Sequence, residues 1–350
     1  MENLIFLGDF YYDYSEKRED IEHIFREMGD DSLIIANLEG PICNKNEKKI
    51  EKRGPNLVQS EQAIQVLKEA NVYAVCLANN HMMDYGEEGL CNTIACLDKA
   101  GIKHVGAGKN IDLARQPIVI ENNGQKYVLI NFAWEIEETI IAQENKAGCA
   151  PRDEKIIIHD ISHFADKGMK PIVIMHWGFE YNLHPQPRDI SLAHKMIDVG
   201  AEIVIGHHPH VTQGWEEYKG KKIFYSIGNF YFSGKRDEFQ DKFRRKKMED
   251  HAFGLIVDYN IRTKLCSLKK ICYNDCEKRS EISVLEDNEL YNYTNMKIDR
   301  YYIKKLIRNK RNFNPVLYDN FWAKVQLLFF QYVIRKYVRN LVRLFTVRKN

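Results

Sequence analysis

Seven short apolar runs that end at or next to Gly, Asn, Asp, Glu or His constrain the fold of this chain more than any other feature. The runs are LIFLGD (4–9), LIIANLEG (33–40), VYAVCLANNH (72–81), YVLINF (127–132), IVIMHWG (172–178), EIVIGHHPH (202–210) and KIFYSIGNF (222–230). Apolar runs of this length, rich in β-branched residues, are typical of strands that are buried on both faces.

Helix-like stretches lie between several of these runs. The sequence predicts helices over 61–70, where Ser60 is placed as the cap, over 87–100 and over 189–199, the last two ending at a glycine. Strands that alternate with helices predict a layered α/β core with a largely parallel sheet. In such sheets ligands bind beyond the carboxyl ends of the strands, which is where the polar residues of the runs fall.

Length and charge divide the chain into parts. Its 350 residues, 44% of them hydrophobic, are sufficient for one large domain with an appendage. Residues 299–350 hold 13 Lys and Arg against two acids, a balance of +11, so residues 1–298 carry −9. We expect a domain over 1–262, a connecting segment over 263–311 and a basic amphipathic helix over 312–350.

The predicted C-terminal helix has two interpretations. Its apolar residues recur near helical spacing with basic residues between them, as in a helix that packs on the core or on a partner such as a membrane synthase. A basic helix of this kind also suits an anionic membrane surface. Its longest uncharged stretch, Val325 to Ile334, is ten residues, short of the roughly 20 that span a bilayer. The negative charge of the rest of the chain disfavours nucleic acid as a partner.

The N-terminus and the cysteines indicate the cellular compartment of the protein. Met1-Glu2-Asn3 carries no basic residue, and the apolar run that follows ends after four residues at Gly8-Asp9, so no secretory signal is predicted. The eight cysteines have no disulfide-framework spacing, which favours free thiols in a reducing environment. We therefore expect a cytoplasmic protein, and the basic helix leaves open a peripheral position at the inner face of the membrane.

The polar residues at the strand ends form one candidate site. They are Asp9, Glu39, Asn79, Asn80, His81, Asp84, His176, Glu180, His207, His208, His210 and Asn229. Singly, such residues have ordinary explanations, since an Asp after a strand is commonly a turn residue and a buried His is commonly just hydrogen-bonded. Jointly, carboxylates, amide oxygens and imidazoles at one rim of a sheet predict a site for Zn, Mn or Fe rather than for Mg or Ca.

Six motifs, in this order, resemble those of a known family. GDF (8–10), NLEGPI (37–42), LANNHMMDYG (77–86), HWGFEY (176–181), GHHPHVTQG (206–214) and YSIGNF (225–230) are similar to the motifs of the CapA-like proteins of poly-γ-glutamate capsule synthesis. These proteins resemble calcineurin-like metallophosphatases. Over about residues 4–260, the resemblance implies a two-sheet αββα sandwich with two divalent ions, to which the C-terminal helix would be an appendage.

The resemblance also implies a role for each residue of the candidate site. The first ion would be bound by Asp9 and His210, the second by Asn80, His176 and His208, and both by a bridging Glu39. His81 would be the general acid and Asp84 would orient it. The residues expected to face the substrate or support the ligands are Asn79, Glu180, Asn229 and His207.

Two positions depart from the phosphatase pattern. Phosphatases carry Asp-x-His in the first motif, whereas Tyr11 stands here in place of the histidine, so the first ion has a poorer ligand set. An acid also follows the Asn-His pair in phosphatases, but this chain has Met82 there and Asp84 two residues further on. His207 either replaces the ligand that is missing at Tyr11 or supports the ligands.

These residues lead to two hypotheses of different classes. Two divalent ions about 3.5 to 4 Å apart can generate hydroxide near neutral pH, so metal-bound hydroxide would attack phosphorus or a carbonyl carbon while His81 protonates the leaving group. The chain would then be a metal-dependent hydrolase, a phosphoesterase or an amide hydrolase, acting on a phosphoester or on capsular poly-γ-glutamate or a similar anionic polymer. The alternative is a non-catalytic assembly component that docks on a membrane synthase through its basic helix.

Overall fold

The computed structural model describes residues 2–12, 32–52, 54–135, 139–232, 254–274, 279–285, 290 and 292–294. All of them belong to one compact unit, Met1–Met296. The predicted C-terminal helix over 312–350 lies outside the described residues. Within them, no helix combines the length and the apolar character needed to cross a membrane.

The described residues form sixteen strands and five helices. The strands are β1 (Asn3–Tyr11), β2 (Ser32–Leu38), β3 (Val72–Cys76), β4 (Lys103–Val105), β5 (Ala107–Gly108), β6 (Ile118–Asn122), β7 (Gln125–Ala133), β8 (Gly148–Cys149), β9 (Lys170–His176), β10 (Ile203–His207), β11 (Thr212–Tyr218), β12 (Lys221–Ile227), β13 (Asn229–Phe232), β14 (Gly254–Asn260), β15 (Cys266–Asn274) and β16 (Arg279–Val284). The helices are α1 (Glu61–Glu69), α2 (Gly86–Ala100), α3 (Ile111–Ala114), α4 (Glu154–Asp166) and α5 (Pro187–Asp198). Each of the seven apolar runs lies on a strand.

The three predicted helices correspond to α1, α2 and α5. Ser60 occupies the cap position of α1, but its side chain makes no capping hydrogen bond. Gly101 ends α2 with a φ of 74°, the left-handed conformation that glycine adopts without a Cβ penalty. Helix α5 begins at Pro187, two residues before the predicted start, because proline is well suited to the first turn of a helix, where its missing N–H is not needed.

Two sheets stack face to face. The first has the strand order β16-β15-β14-β1-β2-β3-β4, with β13 also paired to β1, and the second has the order β11-β12-β10-β9-β7-β6. Strands β1 to β4 are parallel to one another, as are β7, β9, β10 and β12 in the second sheet. The carboxyl ends of the parallel strands in each sheet therefore share an edge.

Alternate residues of the central strands enter two separate cores. In β1, Leu4 and Phe6 join the core between the sheets, whereas Ile5 and Leu7 face the core beneath α1 and α2. Helices α4 and α5 pack on the outer face of the second sheet. Burial on both faces is the reason that these strands appear as continuous apolar runs. The predicted two-sheet α/β sandwich is confirmed.

The first sheet continues into residues that the sequence assigns to a connecting segment, 263–311. Strand β15 pairs antiparallel with β14, and β16 pairs antiparallel with β15. Within β15, Leu268 and Ile271 face opposite cores, and Lys269 and Lys270 between them interrupt the apolar run. The sheet therefore extends past residue 262, and the paired lysines conceal the strand in the sequence.

Candidate metal centre

The candidate site residues gather where the carboxyl ends of the two sheets meet. Asp9 lies at the end of β1 and Glu39 directly follows β2, while His176 and His207 are the last residues of β9 and β10. Register pairs His207 with His176 across the second sheet. All four side chains are buried. The polar strand ends that the sequence groups together thus converge on one interior site.

Close backbone contacts hold this edge of the structure. Gly8 precedes Asp9 at an irregularity in the pairing of β1 with β2, and a Cβ at Gly8 would lie 2.1 Å from the carbonyl oxygen of Gly228. In the loop after β10, His208 and His210 have φ values of 94° and 56°. Residues other than glycine occupy this left-handed region at an energetic cost, and such strain is concentrated at functional sites.

Three ligand-type side chains cluster at the centre of the site. One ligand atom each from Glu39, His208 and His210 lies within 4.8 Å of the others. His210 Nε2 is 3.6 Å from Glu39 Oε1. Both ring nitrogens of His208 are buried and have no hydrogen-bond partner among the described residues. A buried polar group in that state costs about 1–3 kcal/mol, which a metal ion bound by the imidazole would offset. The donor set therefore fits a divalent ion.

Asn80 and His176 lie beside this cluster. His176 Nε2 is 2.8 Å from Asn80 Oδ1, and the rings of His176 and His208 have centroids 4.8 Å apart. Burial, with some repulsion from other histidines, lowers the pKa of His176 well below its ordinary value. Burial likewise lowers the pKa of His208 to about 4. Both imidazoles are consequently neutral at pH 7, which is the form that binds metal.

His210 is oriented by contacts to both of its ring nitrogens. Its Nδ1 lies 2.8 Å from Asn229 Oδ1 and 3.4 Å from Asp9 Oδ2, while its Nε2 faces Glu39. Burial lowers the pKa of His210, but the carboxylates of Glu39 and Asp9 outweigh it and hold the pKa well above its ordinary value. The two carboxylates therefore favour the protonated form of His210. Asn229, which we predict to face the substrate, contacts this imidazole.

Asp9 is surrounded by nitrogen atoms. Asn37 Nδ2 donates to its Oδ1 at 2.8 Å, His207 Nδ1 lies 3.2 Å from the same oxygen, and the backbone N–H of His208 donates to Oδ2 at 3.4 Å. Burial alone would raise the pKa of Asp9, but the adjacent histidine nitrogens outweigh it and hold the pKa well below its ordinary value. Asn37 is absent from the residues predicted from sequence, because it lies inside an apolar run.

His81, Asp84 and Lys52 form a second polar group. His81 Nδ1 is 2.7 Å from Asp84 Oδ2, and Lys52 pairs with Asp84 while its Nζ lies 3.1 Å from His81 Nδ1. Leu57 N–H also donates to Asp84 at 2.7 Å. Burial lowers the pKa of His81 more than Asp84 raises it. The Lys52 side chain is 2% exposed, yet the sequence gives no signal that separates it from the other lysines of its charged loop.

The remaining predicted residues lie at the margin of the site. Asn79 donates to the carbonyl of Leu38 at 2.8 Å and accepts from His81 N–H at 3.2 Å, so it joins the ends of β2 and β3. Glu180 is half-buried in the loop after β9, and its charge acts on His208. Tyr11, at the position of the missing histidine, donates its hydroxyl to the carbonyl of Val58 at 3.4 Å.

Several bacterial proteins are similar to this chain in sequence. Capsule biosynthesis protein CapA of Bacillus anthracis is 34% identical over 216 residues, which cover 60% of this chain and 53% of that protein. PGA biosynthesis protein CapA of Bacillus subtilis (strain 168) is 36% identical over 214 residues, which cover 61% and 55%. The chain spans about half the length of the curated relatives it matches.

Solved structures and a family model are also similar to this chain. A 5'-nucleotidase precursor from Thermus thermophilus has a TM-score of 0.46 and 12% identity, covering 88% of this chain and 58% of that chain. The NAD nucleotidase of Haemophilus influenzae also has a TM-score of 0.46 and 12% identity, covering 95% and 67%. The family model of the bacterial capsule synthesis protein PGA_cap matches residues 3–234, which hold strands β1 to β13 and all the candidate ligands. By this match the chain belongs to the PGA_cap family of bacterial capsule synthesis proteins.

Proposed function

We propose that this protein is a metal-dependent hydrolase that acts in the synthesis or processing of capsular poly-γ-glutamate or a similar anionic polymer. The observation that carries the proposal is His208, an imidazole that is fully buried, neutral at pH 7 and without a hydrogen-bond partner at either ring nitrogen among the described residues. Glu39 and His210 lie beside it. A metal ligand explains this arrangement better than a core histidine does, because buried core histidines are hydrogen-bonded.

The proposed ion would be Mn, Zn or Fe, held by Glu39, His208 and His210, with Asn80 and His176 adjacent. Mixed imidazole and oxygen donors suit these metals. Such an ion polarises a phosphoryl or carbonyl oxygen and activates water near neutral pH. The protein contributes neutral imidazoles in a buried site, where electrostatic interactions are stronger than in water.

Proton transfer in the proposed reaction is assigned to His81. Asp84 and Lys52 both contact Nδ1 of the ring, so Nε2 is the nitrogen that contacts neither of them. Asp84 Oδ2 lies 2.7 Å from His81 Nδ1, and the carboxylate accepts from Lys52 and from the main chain at Leu57, which fixes its position. His81, when protonated at both ring nitrogens, would therefore donate its Nε2 proton to the leaving group and regain a proton from the attacking water, a contribution typically worth about 10²–10⁴ in rate.

The names of the relatives support the proposed substrate class. Two of the similar proteins are named for capsule or PGA biosynthesis, which favours a γ-glutamyl amide bond over a phosphoester. The site chemistry is compatible with both bonds, because each develops negative charge on oxygen in the transition state. We therefore propose an amide bond of the polymer as the preferred substrate and a phosphoester as the second choice.

The test combines metal content with turnover. The full chain, loaded with Mn, Zn or Fe, is assayed on γ-glutamyl peptides and on bis(p-nitrophenyl) phosphate. We expect His81→Ala to keep its metal and lose about 10²–10⁴ in rate. The double variant His176→Ala with His208→Ala should lose both metal and activity, whereas His163→Ala, on the exposed face of α4, should change neither. Full metal occupancy in the double variant would overturn the proposal.

A second candidate function is a non-catalytic assembly component that keeps the fold. Tyr11 favours it, because the residue at a phosphatase ligand position donates to the main chain at Val58 instead. This alternative predicts no turnover of either substrate class by the metal-loaded chain. Turnover that depends on His81 would exclude it.

A further inference from the structure

The orientation of the Asn79 amide determines how Asp9 is contacted. Asn79 Oδ1 accepts from His81 N–H and its Nδ2 donates to the carbonyl of Leu38, so the main chain fixes which way this amide points. Its Nδ2 also donates to Asn37 Oδ1 at 3.5 Å. The Asn37 oxygen is thereby turned toward Asn79, and its Nδ2 is left to donate to Asp9 Oδ1 at 2.8 Å.

The carboxylate oxygens of Asp9 thus accept hydrogen bonds through lone pairs that the first ion of a metal pair would require. Its Oδ1 accepts from Asn37 and lies 3.2 Å from His207 Nδ1, and its Oδ2 accepts from the backbone N–H of His208 at 3.4 Å. His210 Nδ1 is 3.4 Å from the same Oδ2. The carboxylate is stabilised on both oxygens by the protein itself.

Among the described residues, the position next to Asp9 also lacks a compact group of three His, Cys, Asp or Glu ligands. The Tyr11 hydroxyl donates to the carbonyl of Val58, and its ring packs against Phe232 with centroids 5.1 Å apart. In the part of the chain that the structure describes, the one group of three His, Cys, Asp or Glu ligand atoms within 4.8 Å of one another excludes both Asp9 and His207. Zinc sites in proteins take at least three protein ligands as a rule.

We propose that the centre holds a single divalent ion, on Glu39, His208 and His210, and that Asp9, hydrogen-bonded to Asn37 and lying beside His207, takes the place of the first ion of the pair. This inference rests on the metal site of the proposed function. Asp9 then acts on the ion through His210: its carboxylate and Asn229 hold Nδ1 while Nε2 faces Glu39. Carboxylates that contact the second nitrogen of a ligating histidine commonly set its orientation and basicity.

The test counts ions on the full chain. Wild-type protein is stripped, reconstituted with Mn²⁺ and measured by elemental analysis, equilibrium dialysis and electron paramagnetic resonance. We expect about one tight ion per chain with the spectrum of an isolated Mn²⁺ rather than of an exchange-coupled pair. Asp9→Asn should retain this ion with affinity reduced about 10- to 100-fold, the usual effect of losing a carboxylate behind a ligating histidine. Asp198→Asn, a surface carboxylate paired with Lys219, is the matched control and should bind as wild type does.

Each other outcome has a distinct meaning. Two ions per wild-type chain with a coupled spectrum, or loss of the tight ion in Asp9→Asn, would overturn the single-ion inference and leave the hydrolase proposal standing. No bound ion in the wild type would overturn both. Circular dichroism checks that Asp9→Asn folds, and if it does not, the wild-type stoichiometry and spectrum decide.

Discussion

His208→Leu separates a metal ligand from a core histidine by its effect on stability. The side chain is fully buried, and both ring nitrogens lack hydrogen-bond partners among the described residues, so the metal-free wild type carries their desolvation cost. Leucine has a similar volume and no polar atom, and the backbone strain at φ 94° is common to both proteins. In metal-free protein at pH 7, the substitution should raise the free energy of unfolding by about 1–3 kcal/mol.

The pH dependence of the same comparison follows from the pKa of His208. Burial lowers this pKa to about 4, below the ordinary value of 6.5, so between these values the unfolded chain binds more protons than the folded one. Stability is then lost as pH falls. On going from pH 7 to pH 4.5, protonation of His208 in the unfolded chain should lower the free energy of unfolding of the wild type by roughly 2–3 kcal/mol. His208→Leu should not show this loss.

The assay is urea unfolding of EDTA-treated protein at pH 7 and pH 4.5, followed by the same unfolding with Mn²⁺. At pH 7 and a free metal concentration of about 1,000 times Kd, the ion should stabilise the wild type by about 4.1 kcal/mol and the variant not at all. The order of stability therefore reverses when metal is added. Equal losses of unfolding free energy by the wild type and the variant as pH falls, or equal stabilisation of both proteins by Mn²⁺, would refute the assignment of His208 as a ligand.

Three further predictions concern other parts of the site. Because the pKa of His210 is raised well above its ordinary value, metal binding must displace a proton from its ring. The affinity for metal should therefore rise by up to about tenfold per pH unit at pH values below that pKa. Calorimetry in two buffers would detect the released proton. Lys52→Met should lower the free energy of unfolding in urea by about 3–5 kcal/mol, because it leaves the buried Asp84 carboxylate without its partner. Adding Asp84→Asn should recover part of this loss. Full additivity of the losses from the two single substitutions would contradict the pairing. Gly8→Ala would place a Cβ 2.1 Å from a carbonyl oxygen and should lower the free energy of unfolding by about 1–3 kcal/mol or more. Gly54→Ala, with open space around it, should leave that free energy nearly unchanged. Equal stabilities of the two variants would contradict the close approach at Gly8.

Strand ends could be predicted because burial on both faces leaves a strong pattern in the sequence. Asp9, Glu39 and His176 each end an apolar run, and parallel pairing brings such ends to one edge without any knowledge of side-chain contacts. The convergence of the candidate ligands was accessible from sequence for this reason. The same rule does not apply to β16, at the edge of the first sheet, or to its neighbour β15, in which the paired lysines interrupt the apolar pattern.

Residues that contact the site from distant parts of the chain could not be predicted from the local sequence. Lys52 is one of several lysines in a charged loop, and only the folded chain brings it against Asp84 and His81. Asn37 sits inside a strand, and its contact with Asp9 depends on the pairing of β1 with β2. Sequence therefore indicated which side chains could bind a metal, while the hydrogen bonds that distinguish a ligand from its support depend on tertiary structure.

The most direct measurement of the central claim is cleavage of poly-γ-glutamate by the metal-loaded full chain, with metal content determined on the same samples. The proposed mechanism predicts release of shorter γ-glutamyl chains by the wild type, loss of release on chelation, and a fall of at least about 10²-fold in His81→Ala with its metal retained. A metal-loaded wild type that cleaves neither the polymer nor a phosphodiester, or a His81→Ala variant as active as the wild type, would contradict it.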